Sequence, residues 1–299
     1  MNFHILHTTR YTYSQPVGLC HNEAHLRPRS FELQQCLEAR VDIEPPPARY
    51  DERADYFGNP VAYFSVQEPH DRLTVTATST VQRSAPALLD SDASLAWDRV
   101  AATLHAADTM QALAAREYVL DSPLVATSPD LAAFALPSFA PGRPFLSAVH
   151  DLNRRIHREF LYDRNFTTVS TPLVDVLAQR RGVCQDFAHL AIGCVRSLGL
   201  PARYVSGYLP STPPPGQERL RGADASHAWF AVFDPGAGWI DFDPTNDQIV
   251  SDRHVTTAWG RDYADVTPLK GVVFGGGAHS LEVAVEILCD GDGDTVLGA

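Results

Sequence analysis

The sequence is almost without lysine: Lys270 is the only one in 299 residues, and arginine supplies the rest of the positive charge. Lysine and arginine together number 24 against 36 aspartates and glutamates, which gives a net charge of −12. Nucleic acids and anionic membranes both attract basic surfaces. The charge balance therefore argues against general binding to either of them.

Cysteine is also scarce, and the five residues include no C-x-x-C pair. They are Cys20, Cys36, Cys184, Cys194 and Cys289. An odd, scattered set of this kind excludes a disulfide framework and zinc-finger spacing. The N-terminus has no basic segment followed by an apolar one, and no apolar run reaches the roughly 18 residues of a membrane-spanning helix. We expect a reduced, cytoplasmic protein.

Motifs for phosphate and metal binding are missing as well. Three glycines at 275–277 precede a strand pattern, whereas a phosphate loop leads into a helix. His21 and His25 are four residues apart, but with Glu23 between them they do not form H-E-x-x-H. We expect them to be loose surface histidines. The sequence thus predicts neither a metal nor an organic cofactor.

Hydrophobic residues form 44% of the chain, which is enough for a large core, and the length suggests two domains or one large one. Residues 1–85 alternate polar and apolar side chains, which predicts an antiparallel β-domain. Residues 86–160 are rich in alanine and leucine at helical spacing and predict several short helices. Residues 161–299 predict helices, three strands and C-terminal strands. The proline-rich stretch 211–222 among them is typical of a lid or binding loop.

The segment R-R-G-V-C-Q-D-F-A-H-L is the most informative one. It predicts a helix with Cys184 in its first turn, three residues before Phe187 on the apolar stripe. Unpaired N–H groups and the helix dipole at that end favour a thiolate and could stabilise an oxyanion. The helix alone also allows the commoner alternative, in which Cys184 is a small buried hydrophobic residue.

A base and its partner are predicted on a β-hairpin. If Phe233 pairs with Trp239, His227 lies diagonal to Asp243 on the neighbouring strand, within side-chain reach. Asp241 is one pair further away, so this register favours Asp243. A slip of one residue would remove the argument. The alternative makes His227 an ordinary strand histidine and Asp243 the start of an Asp-Pro turn.

Together the three residues have the chemistry of a Cys-His-Asp triad. Cys184 would be the nucleophile, His227 the base, and Asp243 the group that orients the base. Two more polar residues on the same helix are not expected to be catalytic. Asp186 near the helix start suits the positive end of the helix dipole, which is a structural role. His189 falls off the face of Cys184 and is expected to pack or to lie at the surface.

Several strings resemble the bacterial transglutaminase-like superfamily, whose members include proposed cysteine proteases. The core strings are F-L-Y-D-R-N-F-T-T-V-S-T-P-L-V-D-V-L-A-Q-R-R-G-V-C-Q-D-F-A-H-L, P-A-R-Y-V-S-G-Y, S-H-A-W-F and G-W-I-D-F-D-P-T-N. The opening H-T-T-R-Y-T-Y-S-Q-P-V and the later D-Y-F-G-N-P-V-A-Y-F-S-V are similar to the β-domain that precedes this core. The ending D-V-T-P-L-K-G-V-V-F-G-G-G-A-H-S-L-E-V-A-V is similar too, so the resemblance covers nearly the whole chain.

This resemblance implies an α+β, papain-like core, with the Cys184 helix packed on an antiparallel sheet, preceded by an N-terminal β-sandwich in 1–85. Residues 86–160 would join the sandwich to a catalytic core in 161–299. By the same resemblance Cys184, His227 and Asp243 match the three catalytic positions. Tyr162 and Trp229 are further candidates for substrate binding.

The expected activity is acyl transfer through a thioester on Cys184, most simply hydrolysis of a peptide or amide bond, with a peptide or protein amide as substrate. The same triad would also serve a transglutaminase that passes the acyl group to an amine. A non-catalytic binding protein on this scaffold is a third possibility, and the N-terminal domain could recruit a protein partner. The sequence does not identify the substrate.

Overall fold

The computed structural model describes residues 1–107, 109–164, 166, 171–211 and 226–290. Its strands are β1 Asn2–Ala24, β2 Gln34–Glu44, β3 Arg49–Ala54, β4 Pro60–Val66, β5 His70–Arg83, β6 Leu161–Tyr162, β7 Arg181–Gly182, β8 Ala202–Tyr208, β9 Ser226–Asp234, β10 Gly238–Asp243, β11 Gln248–Ile249, β12 Val255–Gly260, β13 Leu269–Gly275 and β14 His279–Cys289. Its α-helices are α1 Trp97–Ala106, α2 Met110–Arg116, α3 Pro129–Ala135, α4 Phe145–Glu159, α5 Leu173–Gln179, α6 Cys184–Ser197 and α7 Tyr263–Val266. The predicted loop at 211–222 lies almost entirely outside these residues.

The N-terminal domain is one sheet made of antiparallel strands. The first half of β1 pairs with β5 and the second half with β4, so β4 and β5 form one interrupted strand along it. The pair β2 and β3 runs along β5 and β4 in the same way. Side chains from both halves, among them Phe64 and Val75, share one hydrophobic cluster. The predicted strand-rich N-terminal domain with its own core is confirmed.

The C-terminal strands complete this sheet, which differs from the predicted division of the chain. We placed them with the core in 161–299, but β13 and β14 pair along the whole of β1. They are linked by 276–278, and Gly275, Gly276 and Gly277 all have positive φ, a backbone region that favours glycine. The alternation of side chains correctly predicts the C-terminal strands themselves. It does not indicate which sheet they join, and that sheet is the N-terminal one.

One histidine in the sandwich was also misjudged. His25 is buried, and its ring contacts Asp55 and the backbone carbonyl of Thr267. It is therefore a structural core histidine rather than a loose surface one. The charged neighbour explains how the ring is accommodated in the interior, since buried polar groups need hydrogen-bond partners.

The core domain packs helices against a second antiparallel sheet, in the order β11-β10-β9-β8-β12. Helix α6 lies on β9 and β8, and its residues Phe187, Leu190 and Ala191 share a cluster with Phe230 of β9. The short helices α1 to α4, predicted from the alanine-rich region, pack around α6 in the same cluster. The predicted papain-like α+β core is confirmed. None of the described helices has the length and apolarity of a membrane span.

Two side-chain amides of the sandwich form hydrogen bonds with the backbone of the edge strand β12. Gln34 donates from Nε2 to the carbonyl of Thr256 at 2.7 Å, and its Oε1 accepts the N–H of the same residue at 2.8 Å. Asn59 does the same to Trp259, with both distances at 2.9 Å. Each amide replaces a missing strand partner, so backbone groups that would be buried without partners are satisfied.

Candidate active site

Cys184 lies at the first position of α6, and a short parallel ladder holds that end of the helix. Strand β6 pairs with β7, with Tyr162 beside Gly182. The Asp186 carboxylate accepts the N–H of Val183 at 2.8 Å and so caps its own helix. A Cβ on Gly182 would lie 2.8 Å from the Cβ of Asp186, so glycine is required there. The cap leaves Cys184 half-buried at the positive end of α6.

The hairpin that carries the histidine has the predicted register. Phe233 pairs with Trp239, and the pairing continues to Phe242 opposite Phe230. His227 therefore lies diagonal to Asp243, and its Nε2 is 2.7 Å from Oδ2 of that carboxylate. The preference for Asp243 over Asp241 is confirmed by this contact. Its Nδ1 is then the ring nitrogen left for Cys184, which is close enough to contribute to the raised pKa of His227.

These contacts keep the imidazole charged. Burial alone would lower the pKa of His227, but the hydrogen bonds to Asp243 and Cys184, together with the charges of both partners, raise it to about 10. The carboxylate is affected in the opposite sense. Burial opposes its charge, yet hydrogen bonds from His227 and then His254 bring the pKa of Asp243 below its usual range. An ionised carboxylate only accepts, so His227 Nε2 must carry a proton.

Asp243 is bound on every side. Its Oδ1 accepts the backbone N–H groups of Thr245 and Asn246, at 3.0 and 3.2 Å. Its Oδ2 accepts the Asn246 amide at 2.7 Å and faces His254 Nε2 at 3.2 Å, in addition to His227. The carboxylate itself is fully buried. These donors hold the Asp243 carboxylate in one orientation, and the carboxylate in turn orients the ring of His227.

His254 and Asn246 also contact Asp243 and are not among the residues predicted from the sequence. Asn246 had a usable signal, because D-P-T-N is a turn in which the third residue after an aspartate can reach back to it. His254 had none. It directly precedes β12, which shares no neighbour with β10 in the sheet, so only the tertiary fold brings it to Asp243.

The candidate substrate residues differ in their surroundings. Tyr162 is 42% exposed, and its ring lies 6.2 Å from that of Phe187 at the mouth of the site. Trp229 is fully buried, which fits packing beside the site. Its indole N–H donates to Asp241 at 3.2 Å, and its ring lies 5.9 Å from that of His227. It supports the histidine from behind.

His189 of α6 has a packing role, which is one of the two roles predicted for it. His189 is buried, with its ring 5.0 Å from that of Tyr204 and its Nε2 accepting the N–H of Tyr263. Burial lowers its pKa to about 4, so it stays neutral. A neutral acceptor fits this position, because the Tyr263 N–H needs a lone pair.

A group of His227, Asp243 and His254 places three potential metal-ligand atoms within 4.8 Å of one another. Each of these atoms already belongs to a hydrogen bond inside the group. Both histidines can donate to a carboxylate that only accepts, so the group is chemically complete as a network. The donor set gives no buried atom without a partner that would call for an ion.

Comparisons with known proteins agree with this fold. The family model of the bacterial transglutaminase-like N-terminal region matches residues 3–82. The family model of the transglutaminase-like superfamily matches residues 137–244. An uncharacterised protein of Mycobacterium tuberculosis is 40% identical over 294 residues, which cover 96% of this chain and 92% of that protein.

Two further relatives carry names. A protein-glutamine gamma-glutamyltransferase of Pseudomonas aeruginosa is 32% identical over 97 residues, 31% of this chain and 14% of that protein. The crystal structure of a proposed cysteine protease from Cytophaga hutchinsonii superposes with a TM-score of 0.77 at 24% identity, covering 99% of this chain and 92% of that one. The fold, the two family matches and the full-length relative place this chain in the transglutaminase-like superfamily, with the bacterial N-terminal region of that family.

Proposed function

We propose that the protein is a thiol-dependent hydrolase that cleaves a peptide or amide bond through an acyl-enzyme on Cys184. The observation that carries the proposal is the 2.7 Å contact between His227 and Asp243, with Cys184 close enough to contribute to the raised pKa of His227. A thiol at a helix N-terminus, beside a protonated histidine, is the environment that favours a reactive thiolate. Membership of a family of thiol enzymes supports the same assignment.

The proposed reaction assigns one step to each of these residues. The Cys184 thiolate attacks the substrate carbonyl, and the oxygen takes the negative charge near the first N–H groups of α6. The His227 imidazolium gives its Nδ1 proton to the leaving amine, and a thioester remains on Cys184. His227 then takes a proton from water, the hydroxide releases the acid, and the thiolate returns. Asp243 keeps the ring in place and stabilises its charged form throughout.

Transfer of the acyl group to an amine is the second candidate, and one comparison favours it. The Pseudomonas relative is named a protein-glutamine gamma-glutamyltransferase and is similar over part of the core. Both reactions pass through the same thioester. They differ in whether water or an amine attacks it, and exposed side chains such as Tyr162 and Leu161 near the site favour access for water.

The proposal is tested first with iodoacetamide, because this probe needs no substrate. In a variant with Cys20 and Cys194 changed to alanine and Cys36 and Cys289 to serine, Cys184 should react at pH 6. His227→Ala should remove that reactivity. The matched control is His21→Ala, which changes an exposed histidine of the sandwich. Equal rates at pH 6 for His227→Ala and the control would refute the proposed pair.

A product assay then separates the two reactions. Peptides containing glutamine or a scissile amide are incubated with and without a primary amine, and products are identified by mass spectrometry. Hydrolysis predicts a gain of water at one bond whether or not the amine is present. Incorporation of the amine would replace our first candidate with the second. If Cys184 is reactive but neither class of peptide gives a product, the result would favour a non-catalytic binding protein on this scaffold.

A further inference from the structure

His254 is the one histidine at the site that the proposed reaction does not use. Its side chain is fully buried. Its Nδ1 accepts the backbone N–H of Ser251 at 3.4 Å, so the proton of the neutral ring must be on Nε2. That nitrogen faces Asp243 Oδ2 at 3.2 Å. The local backbone thus selects the tautomer that donates to the carboxylate.

The ring is also held by packing. It stands edge-on to Trp229, with ring centroids 5.3 Å apart, and lies 6.2 Å from the ring of His227. The titratable and charged groups near it are Asp243, His227, the buried Asp241, which accepts the Trp229 indole N–H, and Arg83, which binds the carbonyl of His254. Of the two carboxylates, Asp243 is the one that the His254 Nε2 faces.

The backbone of His254 is held by the other domain. Arg83, the last residue of β5, is buried and donates from Nε to the carbonyl of His254 at 3.1 Å. Two residues further on, Gln34 binds both backbone groups of Thr256. The carbonyl of Arg83 in turn accepts the N-terminal ammonium group. A continuous chain of contacts therefore runs from the sandwich to Asp243.

We propose that His254 is a positioning residue, which holds Asp243 toward His227 and is itself held in place by Arg83 of the N-terminal sandwich. This rests on the proposed function and gives the sandwich a role in it. The backbone N–H groups of Thr245 and Asn246 hold Oδ1, whereas His254 and the Asn246 amide hold Oδ2 toward His227. Loss of the His254 donor leaves Oδ2 less firmly placed, and the imidazolium at His227 loses part of its stabilisation.

The test compares variants that remove or keep the donor. His254→Leu removes it and keeps apolar volume, whereas His254→Gln places an amide N–H near the position of Nε2. Arg83→Met removes the contact from the sandwich while keeping an apolar stem, and its control is Arg72→Met, an exposed residue of the same strand. Alkylation of Cys184 is followed from pH 4 to 11 in the background with the other four cysteines replaced, and thermal melting is measured in parallel.

The expected result is that alkylation of Cys184 in His254→Leu begins at higher pH, with a rate at pH 6 that is about 10- to 100-fold lower. The onset should move because a less stable imidazolium–thiolate pair leaves more of the thiol protonated at pH 6, whereas at high pH the thiolate forms without the pair and the rates should converge. His254→Gln should recover most of the rate at pH 6. Arg83→Met should raise the onset in the same way, and the double variant with His254→Leu should add little to either change.

A purely structural role would lower the melting temperature without moving the pH at which alkylation begins, and that result would overturn the proposal. So would a normal profile in Arg83→Met and His254→Leu with both variants folded. If His254→Leu does not fold, His254→Gln and Arg83→Met decide. If Cys184 is inert even in the wild type, the proposed function fails. The low-field proton NMR signal of the His227 imidazole N–H then tests His254 separately, since it should be lost in His254→Leu and kept in His254→Gln.

Discussion

His227 bonds to Asp243 diagonally across two adjacent strands, at 2.7 Å, rather than to a residue directly opposite. This geometry makes the choice of carboxylate depend on register alone. Asp241 lies two residues earlier on the same strand and accepts from Trp229. The two carboxylates on this strand face therefore have different roles: Asp241 binds Trp229 beneath the site, and Asp243 binds His227 within it.

Asp243→Asn, compared with Asp241→Asn, should distinguish the roles of the two carboxylates. An amide carries no charge, so the imidazolium loses its main partner, and an amide N–H turned toward His227 would favour the wrong tautomer. We expect turnover to fall by about 10²- to 10⁴-fold, by analogy with the effect of this change in other triads. Asp241→Asn is the control, since its amide oxygen can still accept the Trp229 N–H. Equal losses in both variants would mean that the effect is structural.

The raised pKa of His227 also predicts how stability depends on pH. The ordinary value of 6.5 rises to about 10 in the folded protein, so the folded state binds the proton more tightly than the unfolded chain. The resulting stabilisation is complete below about pH 6.5 and is lost as the pH rises through about 10. Urea unfolding of the wild type and His227→Gln should therefore give a free-energy difference that shrinks over this range. A difference that grows with pH would contradict the assigned pair.

The sequence predicts much of this because its signals are local. Alternation in β5 predicted the strand face that buries Leu73 and Val75. The short stretch of five residues between Phe233 and Trp239 was enough to set the hairpin register. Long-range pairing was not accessible in this way. The place of β14 beside β1 and the approach of His254 to Asp243 both depend on how distant segments pack.

Gly182→Ala should show how closely the helix cap controls the thiol. The new Cβ would meet the side chain of Asp186, and the carboxylate would have to leave the N–H of Val183. We expect a loss of about 1–3 kcal/mol in the free energy of unfolding, together with slower alkylation of Cys184, because the first turn of α6 loses its cap. Gly18→Ala is the control, since its nearest contact would be 3.9 Å away. Unchanged reactivity in a destabilised Gly182→Ala would disconnect the cap from the thiol.

Asn59→Leu tests whether the two domains unfold as one unit. The amide of Asn59 binds both backbone groups of Trp259 and also donates to Asp55, and it is fully buried. Leucine leaves those backbone groups without partners inside the protein, which should lower the free energy of unfolding by about 2–5 kcal/mol. The control is Asn2→Leu, whose amide donates to Asp290 at the surface. If the sandwich holds β12 and the residue before it in place, Asn59→Leu should also slow alkylation of Cys184 before the fold is lost. Full reactivity at a much lower melting temperature would mean that the sandwich stabilises the core without shaping its site.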